Sequence, residues 1–475
     1  MFYAVEYAVF GILMGANLGL GLFFSFKKSG SLTTNEMFLG SRTLKMLPLA
    51  LSMLASIMSS TGIVGFTGHF YTYGLHMGWC VLTTILLFPV TVHVVVPVMY
   101  KLKVTSIFEY IRMRYTTSIA LTACATYFFL TQTLGAVTIY TASITMETIF
   151  HVPATWASVF IGLTGTFYTA LGGLRGVVWT DCMQAVITLL APSMIIIKII
   201  YDSNQEGAKL RPLSDFDSKA YFFETDLDFT KDENVWSCLV GITAVHFYRT
   251  ALDQMVMQRY MASRTLKEAQ RTARTSAFFV ASFYVVRVML AMGLIFWYRD
   301  CDPQLSGAIQ RLDEILPFYV SQNLTNPHSF VGIFVAGIVS ATTSTISSVI
   351  NSQSAVCYVD VVSRYLTVPE DKAIKVTKSL AFTIGGIMTI YSIAVPYMGS
   401  ASRIIMMVYS AVTGPFVGLV ILALMFPIAN SKGAGIATLL AIILQMWLMV
   451  EKLRLGVKPT RMPVTVDYCP VNTTS

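Results

Sequence analysis

Hydroxyl side chains are unusually dense in one apolar part of the chain, residues 340–354, which read SATTSTISSVINSQS. Ser344 and Thr345 are adjacent, and Ala341 lies about one helical turn before Ser344, so that a carbonyl and two hydroxyls form a partial oxygen cage. Hard cations are bound by oxygen ligands, and neutral oxygens without a carboxylate suit a weakly bound, releasable Na⁺. The alternative is that these hydroxyls bond back to carbonyls of their own helix.

A second polar run interrupts the apolar segment 47–72. Small and hydroxyl residues lie at its centre, and such a run weakens helix propensity and frees backbone carbonyls. Discontinuous membrane helices of this kind bind Na⁺ and substrate in secondary transporters. A helix-packing seam of small residues is the alternative interpretation. The residues concerned are Ser56, Ser59, Ser60, Thr61, Gly62 and Gly65.

Three charged residues are candidates for function because charge inside a bilayer is costly. Asp181, next to Thr180, could hold a second cation or a proton, or it could cap a helix or pair with Arg175. Arg249 could attract a carboxylate substrate, although an i,i+4 pair with Asp253 is the favoured alternative. For Arg287 we expect packing or pairing.

The elements that position these residues must be membrane helices. Of the 475 residues, 55% are hydrophobic and 12% are charged, against about 25% charged in soluble domains. This excludes a disordered chain, a nucleic-acid binder and an ordinary cytosolic enzyme. A spanning helix needs about 20 apolar residues, and twelve segments qualify: 3–26, 47–72, 77–100, 117–146, 153–173, 176–201, 235–252, 273–297, 326–352, 376–398, 402–427 and 433–451.

Basic residues and sequons predict the orientation. Lys27 and Lys28 follow the first span, which places the N-terminus outside, and twelve spans return the C-terminal tail, 452–475, to the outside. The glycan acceptor sequons at Asn323 and Asn472 both fall on predicted outside segments. Cys301 and Cys469 also lie outside, where they could form a disulfide or remain free thiols.

Enzyme and metal motifs are missing from the sequence. It contains no Gly-rich phosphate loop, no HExxH and no CxxC, and the seven Cys are scattered through apolar runs, which argues against zinc. No cluster of catalytic carboxylates, His or Cys lies at one depth. We therefore predict that the protein is not an enzyme.

Three stretches resemble the sodium/solute symporter family. They are LASIMSSTGIVG at 54–65, YTALGGLRGVVWTDCMQ at 168–184, and AGIVSATTSTISSVINSQSAVCYVDVV at 336–362. Two further stretches, at 253–272 and 413–434, are similar to the animal branch that includes sodium-coupled monocarboxylate, multivitamin and iodide transporters. The resemblance extends over about residues 3–451.

The resemblance implies an all-α polytopic membrane protein with a LeuT-type 5+5 inverted repeat in a single membrane domain, 1–475. The repeats would be 47–201 and 235–427, preceded by an extra helix at 3–26 and followed by a helix at 433–451. It also implies alternating access around a site near the middle of the membrane.

The resemblance also implies ligand sites. Na⁺ would bind the carbonyls of Ala55, Met58 and Ala341 and the hydroxyls of Ser344 and Thr345, and an additional cation would bind near Asp181 and Thr180. Gly62 stands where sugar transporters have a His and iodide transporters a Gln, and Arg249 and Thr250 replace paired aromatic residues, so sugar and iodide are disfavoured. The predicted substrate-binding residues are Ser59, Ser60, Thr61, Gly62, Gly65, Arg249 and Thr250.

These features together predict a Na⁺-coupled symporter that imports a small organic anion, such as a monocarboxylate or a vitamin-like anion. Its partners would be this anion, Na⁺ and the lipid bilayer, with no nucleic acid. The alternatives are an iodide or sugar-type Na⁺ symporter and a non-transporting solute sensor. We expect a glycosylated, multi-pass plasma-membrane protein with both termini extracellular.

Overall fold

The computed structural model describes residues 2–26, 33–205, 216–227, 233–324, 329–456 and 459–469. These residues form helices joined by short connections, and they contain no β-strand beyond an isolated bridge between Leu44 and Ser263. Within them, nine helices are long and apolar enough to cross a membrane, and a bent helix pair adds a tenth candidate. The all-α membrane architecture predicted from the sequence is confirmed.

Twelve helical segments are labelled here in chain order. They are α1 (Phe2–Phe26), α2 (Met46–Ile57), α3 (Thr61–Tyr73), α4 (His76–Leu102), α5 (Thr117–Phe150), α6 (Ala154–Ser203), α7 (237–252), α8 (Leu266–Tyr298), α9 (Phe330–Tyr365), α10 (Lys372–Tyr397), α11 (Ala401–Met425) and α12 (Ser431–Arg454). Shorter helices connect them, including Thr34–Leu39, Ile107–Arg114, Gln254–Met261 and Ile315–Asn323.

The break predicted inside 47–72 is present. α2 and α3 are separated by three residues and bent by 58°. Met58, the first residue after α2, has an extended backbone with φ −78° and ψ 100°. Helical hydrogen bonding is therefore interrupted where the hydroxyl run begins, and α3 opens as a π-helical turn, Thr61–Gly65.

Three of the twelve predicted spans differ in the structure. The segments 153–173 and 176–201 belong to one helical element, α6, which is interrupted at Gly173 with φ +57°. A straight helix of 50 residues would be about 75 Å long, more than twice the thickness of a bilayer core, so this break divides α6 into two halves. The segment 235–252 forms the short π and α turns of α7 rather than one regular helix.

Burial separates central helices from peripheral ones. In the most apolar window of α9, 94% of the residues are buried, whereas only 6% are buried in that of α12. α9 packs against α6, α5 and α1. The hydroxyl-rich stretch of α9 is therefore at the centre of the bundle, where polar groups need partners from neighbouring helices.

The two ends of the bundle differ in chemistry. At one end, which we call the disulfide face, Cys301 and Cys469 form a disulfide, Arg461 pairs with Asp302 at 2.8 Å, and the Met462 amide donates to the Thr72 carbonyl at 2.8 Å. The opposite end, which we call the basic face, contains residues such as Arg42, Lys101, Lys103, Arg112, Arg114 and Arg264.

Candidate functional site

An oxygen cluster forms where the end of α2 meets α9. The Ser344 hydroxyl donates to the carbonyls of Ala55 at 2.9 Å and Ala341 at 3.0 Å. The Thr345 hydroxyl donates to the Ala341 carbonyl at 3.0 Å. With Met58 these residues are at most 1% exposed. We call Ala55, Ala341, Ser344 and Thr345, together with Met58, whose carbonyl the sequence predicts as a further Na⁺ ligand, the oxygen cluster.

This geometry combines the two alternatives drawn from the sequence. Both hydroxyls bond back to the carbonyl of Ala341 in their own helix, and Ser344 also reaches across to α2. A hydroxyl that donates its proton keeps lone pairs that can accept a cation. The cluster offers neutral carbonyl and hydroxyl oxygens, which fit a monovalent hard cation. No group of three or more His, Cys, Asp or Glu that could hold a metal occurs in the part of the chain that the structure describes.

Asp181, on α6, lies in a buried charged network that also includes Ser52 of α2 and Ser348 of α9. Its carboxylate accepts from the Arg259 guanidinium at 2.9 Å and the Ser52 hydroxyl at 2.5 Å. Arg259 also donates to Ser348 at 2.7 Å and to the Met255 carbonyl at 2.6 Å. We call Asp181, Arg259, Ser52 and Ser348 the Arg259 network.

The network contradicts the alternative in which Asp181 pairs with Arg175. It also leaves less of the Asp181 carboxylate for a second cation. Arg175, which the sequence offered as a partner for Asp181, pairs instead with Glu36 at 2.8 Å, because it lies at the basic end beside Gly40 and Thr43. The hydroxyl of Thr180 bonds to the carbonyls of Gly176 and Val177 in its own helix. Asp181 therefore already has a cationic partner, although its second oxygen, Oδ1, is buried and accepts no hydrogen bond from the residues that the structure describes.

A cavity of about 410 Å³ adjoins the break between α2 and α3. Four of the predicted substrate residues line it, namely Ser59, Thr61, Gly62 and Arg249. A Cβ at Gly62 would meet only Ser59 Oγ, at 3.7 Å, so the glycine leaves the cavity wall open at this point. Met407 is also on the wall.

The other three predicted substrate residues lie off this wall. Ser60 is fully buried and donates to the Thr138 carbonyl at 2.7 Å. Gly65 is packed against Thr61 and Asp313. Thr250 donates to the His246 carbonyl at 2.7 Å and lines a separate small pocket. The π-helical turns of α3 and α7 shift the side-chain register, which a regular 3.6-residue pattern does not predict.

Basic side chains lie on the cavity wall. Among its described lining residues are Arg249, Arg287, Arg403 and Lys452, with no Asp or Glu. Arg249 pairs with Asp253 at 2.7 Å, as the i,i+4 alternative predicted. Arg287 packs over the rings of Phe66, Phe70 and Tyr284, with its central carbon 4.7 to 5.1 Å from the ring centroids.

Asn323, one of the two predicted glycan acceptors, is on the disulfide face, as are Cys301 and Cys469. Asn323 ends the helix Ile315–Asn323, and its amide donates to the Tyr319 carbonyl at 3.1 Å. Asn472 and residue 325, the Thr of the first sequon, lie outside the described residues. The structure joins Cys301 and Cys469, which are 168 residues apart in the sequence, as a disulfide.

Comparison with known proteins is consistent with this architecture. The model of the sodium:solute symporter family matches residues 37–443. The chain belongs to this family. The family consists of membrane transporters rather than enzymes, and membership implies Na⁺ as the co-transported ion.

Two curated relatives and one solved structure are similar to this chain over most of its length. It is 27% identical to sodium-coupled monocarboxylate transporter 2 of Bos taurus, over 98% of this chain and 76% of the relative. It is 29% identical to the sodium/iodide cotransporter of Homo sapiens, over 93% of this chain and 69% of the relative. A Na⁺-coupled sialic acid symporter in a substrate-bound outward-open state superposes with a TM-score of 0.80 at 21% identity, covering 97% of this chain and 99% of that one. This symporter shares the fold.

Proposed function

We propose that this family member is a Na⁺-coupled symporter that imports a small organic anion, a monocarboxylate or a vitamin-like carboxylate. The observation that carries the proposal is the cavity wall, which contains basic side chains and no Asp or Glu among its described lining residues, and on which Arg287 has no carboxylate within ion-pair distance in the described part of the chain. A cavity of about 410 Å³ is in the range of small-molecule sites. The relatedness to a monocarboxylate transporter supports the same substrate class.

Na⁺ would bind at the oxygen cluster. This cluster uses Ala55 and Met58 at the end of α2, and the cavity uses Ser59, Thr61 and Gly62 immediately after the break. Na⁺ and substrate therefore share the same interrupted helix. If Na⁺ orders this segment, it raises the affinity for substrate, and substrate must raise the affinity for Na⁺ by the same factor.

A second cation would use the free Oδ1 of Asp181, near Thr180. Two Na⁺ with one monoanion would carry net positive charge inward. The membrane potential would then favour import by about 2.3 kcal/mol per charge per 100 mV.

The two repeats, 47–201 and 235–427, would each begin with an interrupted helix. α2 and α3 are broken at residues 58–60, and α7 consists of short π and α turns. Interrupted segments at corresponding positions of two halves are typical of transporter binding sites. Motion of one repeat against the other would open the cavity to alternate sides.

The basic face would be cytoplasmic under the positive-inside rule. The disulfide face, with Asn323 and the tail 452–475, would then be extracellular, together with both termini and Asn472. A disulfide is stable in that oxidising compartment. This orientation fits a multi-pass protein of the plasma membrane.

Voltage clamp of cells expressing the chain tests this function. Currents are measured with Na⁺ and after its replacement by choline, across lactate, pyruvate, nicotinate, pantothenate, biotin, iodide and glucose. We expect a Na⁺-dependent inward current for at least one carboxylate. A current for iodide or glucose alone would contradict the substrate class, and carboxylate flux that persists in choline would contradict Na⁺ coupling. Binding of labelled carboxylate without flux would identify a sensor.

A further inference from the structure

Two arginines on the cavity wall have different surroundings. Arg249 already has a carboxylate partner, Asp253, at 2.7 Å. Arg287 is 6% exposed, and no carboxylate lies within ion-pair distance of it among the residues that the structure describes. Its Nε is buried and has no hydrogen-bond partner in the described part of the chain. Within the described residues, a carboxylate neutralises the charge of Arg249 but not that of Arg287.

Aromatic rings flank the Arg287 guanidinium. Its central carbon is 5.0 Å from the Phe66 ring centroid, 5.1 Å from that of Phe70 and 4.7 Å from that of Tyr284. Cation–π contacts offset part of the energetic penalty of burying the charge. They satisfy none of the N–H donors at the edges of the guanidinium. A buried guanidinium with free donors still lacks its anion.

We infer that Arg287 binds the carboxylate of the transported substrate, and that the substrate is a monocarboxylate with a small apolar body. The planar guanidinium can hold both carboxylate oxygens. Met77, Phe283 and Ile405 line the same cavity and would contact the apolar part. This inference rests on the proposed function, and it assigns the carboxylate to Arg287 rather than to Arg249.

The position of the rings connects this site with the interrupted helix. Phe66 and Phe70 belong to α3, whereas Arg287 and Tyr284 belong to α8. An anion on Arg287 would therefore hold α8 against the segment that follows the oxygen cluster. Arg403 and Lys452, the other two basic lining residues, are half-buried.

The test compares carboxylates with their neutral amides. Competition against a labelled carboxylate is measured for lactate and lactamide and for nicotinate and nicotinamide, on purified protein in detergent and in Na⁺-dependent uptake. In R287Q the half-saturating carboxylate concentration should rise about tenfold or more, since charge-assisted bonds are lost, while amide affinity changes less than about twofold. R287K should lose about threefold to tenfold. The matched control is R364Q, at an exposed arginine near the end of α9.

Different outcomes separate the inference from the function. Wild-type Na⁺-dependent carboxylate uptake that is unchanged in R287Q would overturn the role of Arg287 and leave the symporter intact. A wild type that binds carboxylate but shows no Na⁺-dependent flux would overturn symport. If R287Q then loses this binding, the result would still support the site. A wild type that binds no carboxylate overturns both. If R287Q fails to reach the membrane, R287K decides, and wild-type affinity in R287K would overturn the assignment.

Discussion

Arg259 and Arg287 are both buried in the helix bundle, and their surroundings differ completely. Arg259 donates to Asp181, Ser52, Ser348 and the Met255 carbonyl. Arg287 has three aromatic rings and no carboxylate partner among the described residues. The Arg259 network joins α2, α6, α9 and the helix Gln254–Met261 into one unit. A buried charge with all its partners in the protein holds helices together, whereas one without a partner can bind a ligand.

The largest effect is expected from breaking the Arg259 network. R259L leaves the fully buried Asp181 carboxylate without its cation, which costs about 3–5 kcal/mol in comparable buried pairs. We expect a much lower melting temperature in detergent and little protein at the cell surface. The double variant D181N/R259L removes both charges and should recover part of the loss. A wild-type melting temperature in R259L would contradict the structural role of this pair.

A smaller loss is expected for Arg249, whose partner Asp253 is also fully buried. R249Q removes the ion pair and should lower stability by about 2–3 kcal/mol, with partial recovery in R249Q/D253N. Thermal unfolding measures both variants. If R249Q keeps its stability and instead loses affinity for carboxylates but not for amides, Arg249 belongs to the substrate site and the contrast between Arg249 and Arg287 fails.

Asp313 is a buried acid outside the membrane-spanning segments, and it forms no ion pair with the described residues. Burial raises the pKa of its carboxyl to about 6, although it accepts hydrogen bonds from the Ala401 amide and the Ser400 hydroxyl. The unfolded chain loses this proton near pH 4 and the folded protein near pH 6. Stability from this group is therefore highest below pH 4 and decreases up to pH 6, by at most about 3 kcal/mol.

Melting temperatures at pH 5 and pH 7 test this prediction. The wild type should gain stability at pH 5 relative to D313N, because the asparagine does not titrate. The control is D217N, because Asp217 is exposed. D302N is unsuitable, because it would also break the ion pair between Asp302 and Arg461. An identical pH dependence in the wild type and D313N would contradict the raised pKa.

The oxygen cluster is an uncharged site, in contrast to the sites of the two buried arginines, Arg259 and Arg287. S344A/T345A removes two hydroxyl ligands and should raise the half-saturating Na⁺ concentration at least tenfold, about 1.4 kcal/mol in binding free energy. The matched control is T342A on the same helix, whose hydroxyl bonds to the Ile338 carbonyl. Na⁺ dependence of uptake measures the effect. An unchanged Na⁺ requirement in the double variant would show that Na⁺ binds elsewhere.

Local patterns in the sequence predicted much of this arrangement. Hydropathy located the membrane helices, and the small and hydroxyl residues at 56–65 predicted the break between α2 and α3. The i,i+4 spacing predicted the Arg249–Asp253 pair. Each of these signals lies within a few residues of chain, where helix geometry fixes which side chains meet.

Long-range partners could not be predicted in the same way. Asp181 and Arg259 are 78 residues apart, and hydropathy says nothing about which helices adjoin. The Arg287 rings come partly from α3, far earlier in the chain. The π-helical turns in α3 and α7 also displace Gly65 and Thr250 from the cavity wall, since a π turn adds a residue to the helical repeat. A buried Arg with no acid four residues away was the one available signal for Arg287.

Uptake into proteoliposomes is the decisive test of Na⁺-coupled carboxylate import by this protein. Purified protein is reconstituted, and labelled lactate and nicotinate are followed under an inward Na⁺ gradient, an equal gradient of choline and no gradient. We expect accumulation above the external concentration under the Na⁺ gradient alone, and loss of that accumulation when the gradient is collapsed. Equal carboxylate entry under all three conditions, with no accumulation, would contradict Na⁺-coupled symport.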